Sequence, residues 1–354
     1  PPIKAAPEDV APQDVTFVID TSGSMMEDNK IEQARRALTY CVRQLRPQDR
    51  FALIRFSTET ESFRENLVPA TAENLENARR WIGELRARGG TNIGEALEEA
   101  LALRPEAGTT REMSGTIQET SAGLARIYTV VFITDGLPTV GQTNPDQILR
   151  TATSALSGRK GPGAGAGQRD RSKPVGSDSD DSSNVRIFTF GVGHDVNTKL
   201  LDLLADKTRA AAEYIRPGED LEVPISRFFD KISRPAMTNL RLEIPGAGVY
   251  DLYPKDLPDL FYGTQLTVFG RYRKPGPSVI RLTGMVAGKP AEFTYEKTFP
   301  AQESENGFVE KLWGTRKIAY LLDIIRKSGE SDEVKEEVIR LAKKYGVVTP
   351  YTSY

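Results

Sequence analysis

The residues of this chain that could do chemistry are oxygen donors. Asp20, Ser22 and Ser24 stand two apart in Asp20-Thr21-Ser22-Gly23-Ser24, Thr91 follows the pair Gly89-Gly90, and Asp135 lies within Thr134-Asp135-Gly136. Two carboxylates and three hydroxyls form a hard ligand set, suited to Mg2+ or Mn2+ and unsuited to zinc or copper. Mg2+ takes six oxygens at about 2.0–2.1 Å and keeps waters readily. Hydroxyl ligands leave such an ion incompletely neutralised, so it stays electrophilic and can accept a carboxylate from outside. The glycines Gly23, Gly89, Gly90 and Gly136 let the backbone turn tightly beside it. The Asp-x-Ser-x-Ser pattern is weak by itself, expected roughly 0.1 times by chance at average residue usage. Alone it also reads as a turn capping the next helix. Its weight comes from the segments around it.

Those segments must be positioned, and the hydrophobic pattern supplies the elements. Val15-Thr16-Phe17-Val18-Ile19 is a short β-branched and apolar run, the signature of a strand buried on both faces of a parallel sheet. Ile31, Ala34, Leu38, Cys41 and Leu45 recur three or four apart and predict a helix. The alternation continues with a strand at Phe51 to Phe56, a helix through Leu75, Ala78, Ile82 and Leu85, and a shorter helix through Ile93, Leu97, Ala100 and Leu101. Ile127 to Ile133 is the most apolar strand. Asn144 as N-cap and Pro145 at the first helical position start the helix after it. A strand at Val185 to Val192 and helices near 197–207 and 219–233 complete the series. Strands alternating with helices mean an α/β fold, a doubly wound and mostly parallel sheet. In such sheets ligands gather at the carboxyl ends of strands near the topological switch point, so three distant segments can converge there.

The remainder divides by composition. Residues 1–14 hold four prolines and read as a linker, and 15–234 as the α/β domain. Two stretches within it, 105–125 and 157–184, are rich in Gly, Ser, Thr and Asp and read as mobile loops. The acidic serines Ser177 to Asp181 lack the ligand spacing of a calcium loop. From 235 to 303 short strands separated by turn signals predict a small β-sandwich. A C-terminal helical segment, 304–354, follows, with one helix showing Leu312, Thr315, Ala319 and Leu322 on a face and a second capped by Ser331 and closed at Gly346.

Composition excludes several function classes. One cysteine, Cys41, excludes an intramolecular disulfide and a thiolate zinc cage, and one histidine, His194, leaves a Ser-His-Asp or Cys-His mechanism without an obvious partner set. Cys41 sits in a core stripe and His194 reads as a solvated loop residue; Trp81 and Trp313 read as core. The 49 acidic and 47 basic residues nearly cancel, which gives no field for nucleic acid. No apolar run approaches the ~20 residues of a membrane span. No phosphate-cradling glycine motif accompanies Gly89-Gly90. The chain opens at Pro1 without an initiator Met, as a piece of a longer protein would.

Ile19 to Met25, Gly89 to Ile93 and Phe132 to Gly136 resemble the metal-ion-dependent adhesion-site loops of von Willebrand factor type A domains. Leu252-Tyr253-Pro254-Lys255-Asp256-Leu257-Pro258-Asp259-Leu260-Phe261 and Ala342 to Ser353 are similar to inter-α-trypsin inhibitor heavy chains and their bacterial relatives, in which a VIT domain precedes this region. The resemblance implies that Ser22 and Ser24 bind the ion directly, and that Thr91 binds directly or through water. It implies that Asp20 and Asp135 act from behind, and that a protein partner presents a carboxylate. It implies an extracytoplasmic setting, secreted or at the cell surface. The function expected is thus a Mg2+- or Mn2+-dependent adhesion module without catalysis. A metal-dependent phosphohydrolase with Asp20 as nucleophile is the alternative, but Ser22 stands where a general acid would be needed. A scaffold with a vestigial site is the third reading. Lying on loops, Asp20 and Asp135 are expected to be removable at little cost to the fold.

Overall fold

The computed structural model describes residues 11–105, 126–156, 184–302 and 306–352. The expected loops 105–125 and 157–184, but for Pro105 and Asn184, and residues 1–10 of the expected linker lie outside them. The chain divides into two compact units, one running to Ala236 and taking in Ala287–Lys289, the other formed by Met237–Val286 and Pro290–Tyr354.

The first unit is built on seven strands, β1 (Gln13–Asp20), β2 (Arg50–Phe56), β3 (Thr60–Ser62), β4 (Val68–Pro69), β5 (Ile127–Thr134), β6 (Val185–Val192) and β7 (Ala212–Ile215). Their order is β3-β2-β1-β5-β6-β7, with β4 also on β2. β1 pairs in parallel with both β2 and β5, β5 with β6, and β6 with β7. Only β3 and β4 run antiparallel, both against β2. Every residue of β1, β5 and β6 is buried, as in central parallel strands covered on both faces. β1 begins at Gln13, two residues before the expected Val15, because the buried polar side chains of Gln13 and Asp14 find partners. The amide of Gln13 donates to the carbonyls of Ile232 and Ser233, and Asp14 pairs with Arg50 at 2.6 Å.

Helices cover both faces. On one, α3 (Ile93–Ala102), α4 (Pro145–Leu156) and α5 (Thr198–Lys207) bury Leu97, Ile148 and Leu204 against Val18, Phe132 and Ile187. On the other, α6 (Glu222–Ile232) sets Phe229 5.4 Å from Phe17 and Phe228 5.0 Å from Phe190. It packs beside α1 (Lys30–Arg43), whose stripe of Ala34, Ala37, Leu38 and Cys41 is fully buried. α2 (Ala72–Gly83) lies against α1 in turn. Burying each large apolar side chain contributes about 1.5–3 kcal/mol. Asn144 caps α4 as expected, its Oδ1 accepting from Asp146 and Gln147.

The second unit holds two antiparallel sheets where a sandwich was expected. β8 (Pro235–Glu243), β10 (Leu260–Phe261), β12 (Gly276–Val286) and β13 (Lys289–Phe299) form a sheet in the order β10-β8-β12-β13. β9 (Tyr250–Tyr253) and β11 (Phe269–Arg271) form a separate ribbon. The ribbon packs on α7 (Phe308–Ser328): Trp313 donates its indole N–H to the carbonyl of Asp251 at 3.0 Å, and Tyr253 lies 5.3 Å from Tyr320. α7 then packs on α8 (Asp332–Tyr345) through Ile318, Val338, Leu341 and Ala342. The expected face of α7 is turned: Leu312 is 44% exposed, and Trp313, Gly314 and Ile318 are buried instead. Apolar residues fill more than one stripe of this helix, so periodicity alone does not choose between them. Among the described residues no helix is long and apolar enough to cross a membrane.

Candidate metal-binding site

The chain runs from β1 outward to β2, β3 and β4, then returns to β5 on the other side of β1. The topological switch point therefore lies between β1 and β5, and Asp20 and Thr134 end those two strands. Backbone hydrogen bonds sew the loops above them together. Thr21 N–H donates to Phe56 O at 2.7 Å, Arg88 N–H to Thr21 O at 2.7 Å, and Gly23 N–H to Gly89 O at 3.0 Å. Thr91 is tied to the segment after β5 by its own N–H on Thr139 Oγ1 and by Thr139 N–H on Thr91 O, each 2.9 Å. A Cβ placed on Gly136 would lie 3.4 Å from Thr91 Oγ1, so this hydroxyl adjoins the residue after Asp135. Gly89 has φ +80°, and a Cβ there would meet Thr58 Oγ1 at 2.7 Å. Only glycine allows the loop to close in this way.

The side chains form one hydrogen-bonded set. Asp20 Oδ1 accepts from Ser22 N–H at 2.8 Å and Oδ2 from the Thr134 hydroxyl at 2.6 Å. The Ser22 and Ser24 hydroxyls lie 3.1 Å apart, and Ser24 Oγ donates to Asp135 Oδ1 at 2.7 Å. Asp135 Oδ2 accepts from the ammonium of Lys30 at 2.8 Å. Thus Asp20, Ser22, Ser24 and Asp135 are joined by direct or successive hydrogen bonds, with Thr91 alongside. Thr134 and Lys30 belong to the same set and were not singled out in the sequence. The signal for Lys30 was present: it precedes Ala34, Ala37 and Cys41 by four, seven and eleven residues, on the stripe that α1 buries.

The two acids are not the surface groups that the expectation of cheap removal took them to be. Asp20 is 0% and Asp135 3% exposed. Burial pushes the Asp20 carboxyl up to about 6 from 3.8; hydrogen bonds from Thr134 and Ser22 restrain the rise, and the charge of Asp135 adds to it. A buried acid held partly protonated by desolvation gains from a nearby cation.

The donor set fits a hard dication. The proton of Ser24 Oγ is directed at Asp135, so Ser22 is the donor in the 3.1 Å bond to Ser24, and one lone pair of the Ser24 oxygen is left for a ligand. Among the described residues no group of three or more His, Cys, Asp or Glu side chains is placed to hold a metal, so the hydroxyls are needed to complete any set. His194 is exposed and Cys41 buried, with its thiol pushed up by desolvation, in line with the roles read from the sequence. Trp81 is half-buried, edge-on to Phe63, and Trp313 is buried.

The von Willebrand factor type A domain matches residues 14–217. Over 364 residues the chain is 32% identical to inter-alpha-trypsin inhibitor heavy chain H4 of Homo sapiens, covering 98% of this chain and 35% of that protein. It is 26% identical to heavy chain H3 of Bos taurus over 357 residues, 97% of this chain and 36% of that protein. The chain spans about a third of the length of these relatives. A solved structure, von Willebrand factor type A from Catenulispora acidiphila, superposes with a TM-score of 0.58 at 17% identity, covering 95% of this chain and 80% of that one, a likeness of fold. The matched span takes in all three loops of the site and more than half of the residues, and on that ground the chain belongs to the von Willebrand factor type A domain family.

Proposed function

We propose that this chain is a divalent-cation-dependent binding module that captures a carboxylate of a protein partner. Ser22, Ser24 and Thr91 would ligate Mg2+ or Mn2+, with Asp20 and Asp135 behind them. When bound, the ion supplies Lewis acidity toward an incoming anion. The chain's own residues set its reach: Asp135 accepts a hydrogen bond from the Ser24 hydroxyl and so keeps that proton away from a ligand, and Asp20 holds the loop through Ser22 N–H. The observation that carries the reading is the Ser24-to-Asp135 hydrogen bond of 2.7 Å, which joins the first and third loops. The inter-alpha-trypsin inhibitor relatives support an extracytoplasmic setting, and the near balance of charge gives no support to nucleic acid as a partner.

Binding rather than catalysis is favoured by the state of Asp20. A phosphoryl-accepting carboxylate must offer an oxygen to substrate, whereas Asp20 is fully buried and both of its oxygens accept hydrogen bonds. Calorimetric titration with Mn2+ and Mg2+ tests the reading. Wild type is expected to bind one ion, and Ser24→Ala and Asp135→Ala to bind it at least tenfold more weakly, roughly the loss of one good ligand or its anchor. Equal binding by all three proteins would sink the assignment, and no binding by wild type would favour the vestigial scaffold. Turnover of a generic phosphate ester in Mg2+ would favour the hydrolase.

A further inference from the structure

Asp135 is held from two sides. Its Oδ1 takes the Ser24 hydroxyl at 2.7 Å, and its Oδ2 takes the Lys30 ammonium at 2.8 Å. The Lys30 side chain is 11% exposed and that of Asp135 0%, so solvent screens the pair little. The same ammonium lies 3.4 Å from the carbonyl of Ser24 and 3.8 Å from Glu27, whose own side chain is 76% exposed. Local structure fixes it there. Asp28 and Asn29 both have positive φ, 50° and 59°, and turn the chain between the 3-10 segment Gly23–Asn29 and α1. Lys30 thereby becomes the first residue of α1 and enters the buried stripe headed by its charge. Asp and Asn tolerate the left-handed region better than most residues, which suits them to this turn.

We infer that Lys30 sets the residual charge of the site, lowering its hold on the metal and raising its hold on an anionic ligand. The inference rests on the metal-site reading above. The two acids and Lys30 together carry one net negative charge when the acids are ionised, so a bound dication leaves the site at plus one. Without Lys30 the same ion would be fully neutralised by Asp20 and Asp135. A monoanionic carboxylate is attracted to the first arrangement and gains nothing from net charge in the second. At short range and low exposure one unit charge changes an affinity by about tenfold or more. A purely structural lysine acts differently: removing it would loosen the loops and weaken both steps together.

The opposite signs make the test. Mn2+ is titrated calorimetrically into wild type, Lys30→Gln and Lys30→Arg. Acetate is then titrated into the Mn2+-loaded proteins and followed through the relaxation enhancement of water protons. Lys30→Gln is expected to bind Mn2+ about tenfold more tightly and acetate about tenfold more weakly, with Lys30→Arg close to wild type. Thermal unfolding in chelator covers the case of poor folding: the metal-free Lys30→Gln protein should melt lower than wild type and gain more from saturating Mn2+. Loss of both affinities together, or no change in either, overturns the role given to Lys30 and leaves the metal site standing. Failure of wild type to bind Mn2+ overturns both.

Discussion

The hydroxyl of Thr134 donates to Oδ2 of Asp20 across 2.6 Å, tying the end of β5 to the end of β1 at a point where neither strand is exposed. The same Thr134 oxygen accepts from Gly136 N–H at 3.3 Å, so the turn that carries Asp135 hangs on it as well. Thr134→Val keeps the shape and removes both bonds. A hydrogen bond to a charged group contributes about 1.5–3 kcal/mol, so the variant should lose about that much stability at pH 7, where Asp20 is ionised. The loss should shrink at pH 3.5, where the acid is neutral. Denaturant melts at the two pH values check it, and an equal loss at both would show that the Asp20 charge plays no part.

Asp20 itself gives a pH signature. Its folded value of about 6 lies above the unfolded 3.8, so between these the folded state holds a proton that the unfolded state has lost. Stability contributed by this group is therefore full at low pH and falls as pH rises through the window from about 4 to 6. A rise of about two units corresponds to about 3 kcal/mol. Metal-free Asp20→Asn lacks this fall. Its stability relative to wild type should increase by about that amount between pH 3.5 and 7.5, and saturating Mn2+ should remove the wild-type deficit. A pH-independent difference would count against the buried charge.

Much of this was legible beforehand, for physical reasons. Strands β1, β5 and β6 are buried on both faces, and a run such as Ile127 to Ile133 has few other uses. Their order along the chain implied the switch point, and hence that Asp20, Thr91 and Asp135 would meet. β3, β4 and β7 did not stand out, being two to four residues long and half exposed. The depth of the two acids and the presence of Lys30 also escaped notice. A carboxylate or an ammonium within a polar motif reads as solvated, and only the packing around it shows otherwise. On α7, several apolar stripes compete, and Trp313 selects the buried one through its bond to Asp251.

Cys41 offers a clean probe of the first unit. Its thiol is 0% exposed within the stripe of α1, and desolvation pushes its ionisation up. As the chain's one cysteine it should resist a thiol reagent in the native state and react fully in denaturant. Rapid labelling of native protein by mass spectrometry would contradict the packing of α1.

Gly314 provides the corresponding test in the second unit. A Cβ at this position would lie 2.3 Å from Cδ2 and 2.7 Å from Cγ of Tyr345, so glycine is what lets α7 and α8 approach here. The half-buried tyrosine ring stands edge-on to Trp313 at 6.3 Å, a contact that yielding would disturb. Gly314→Ala should therefore cost about 1–3 kcal/mol through overpacking, despite the better helix propensity of alanine. In a Tyr345→Ala background the obstacle is gone, and the same change should become stabilising by about 0.5–1 kcal/mol, the usual gain of alanine over glycine inside a helix. A double-mutant cycle by denaturant unfolding reads the reversal directly. If Gly314→Ala has the same sign in both backgrounds, the close approach of the two helices at this residue is not what selects glycine.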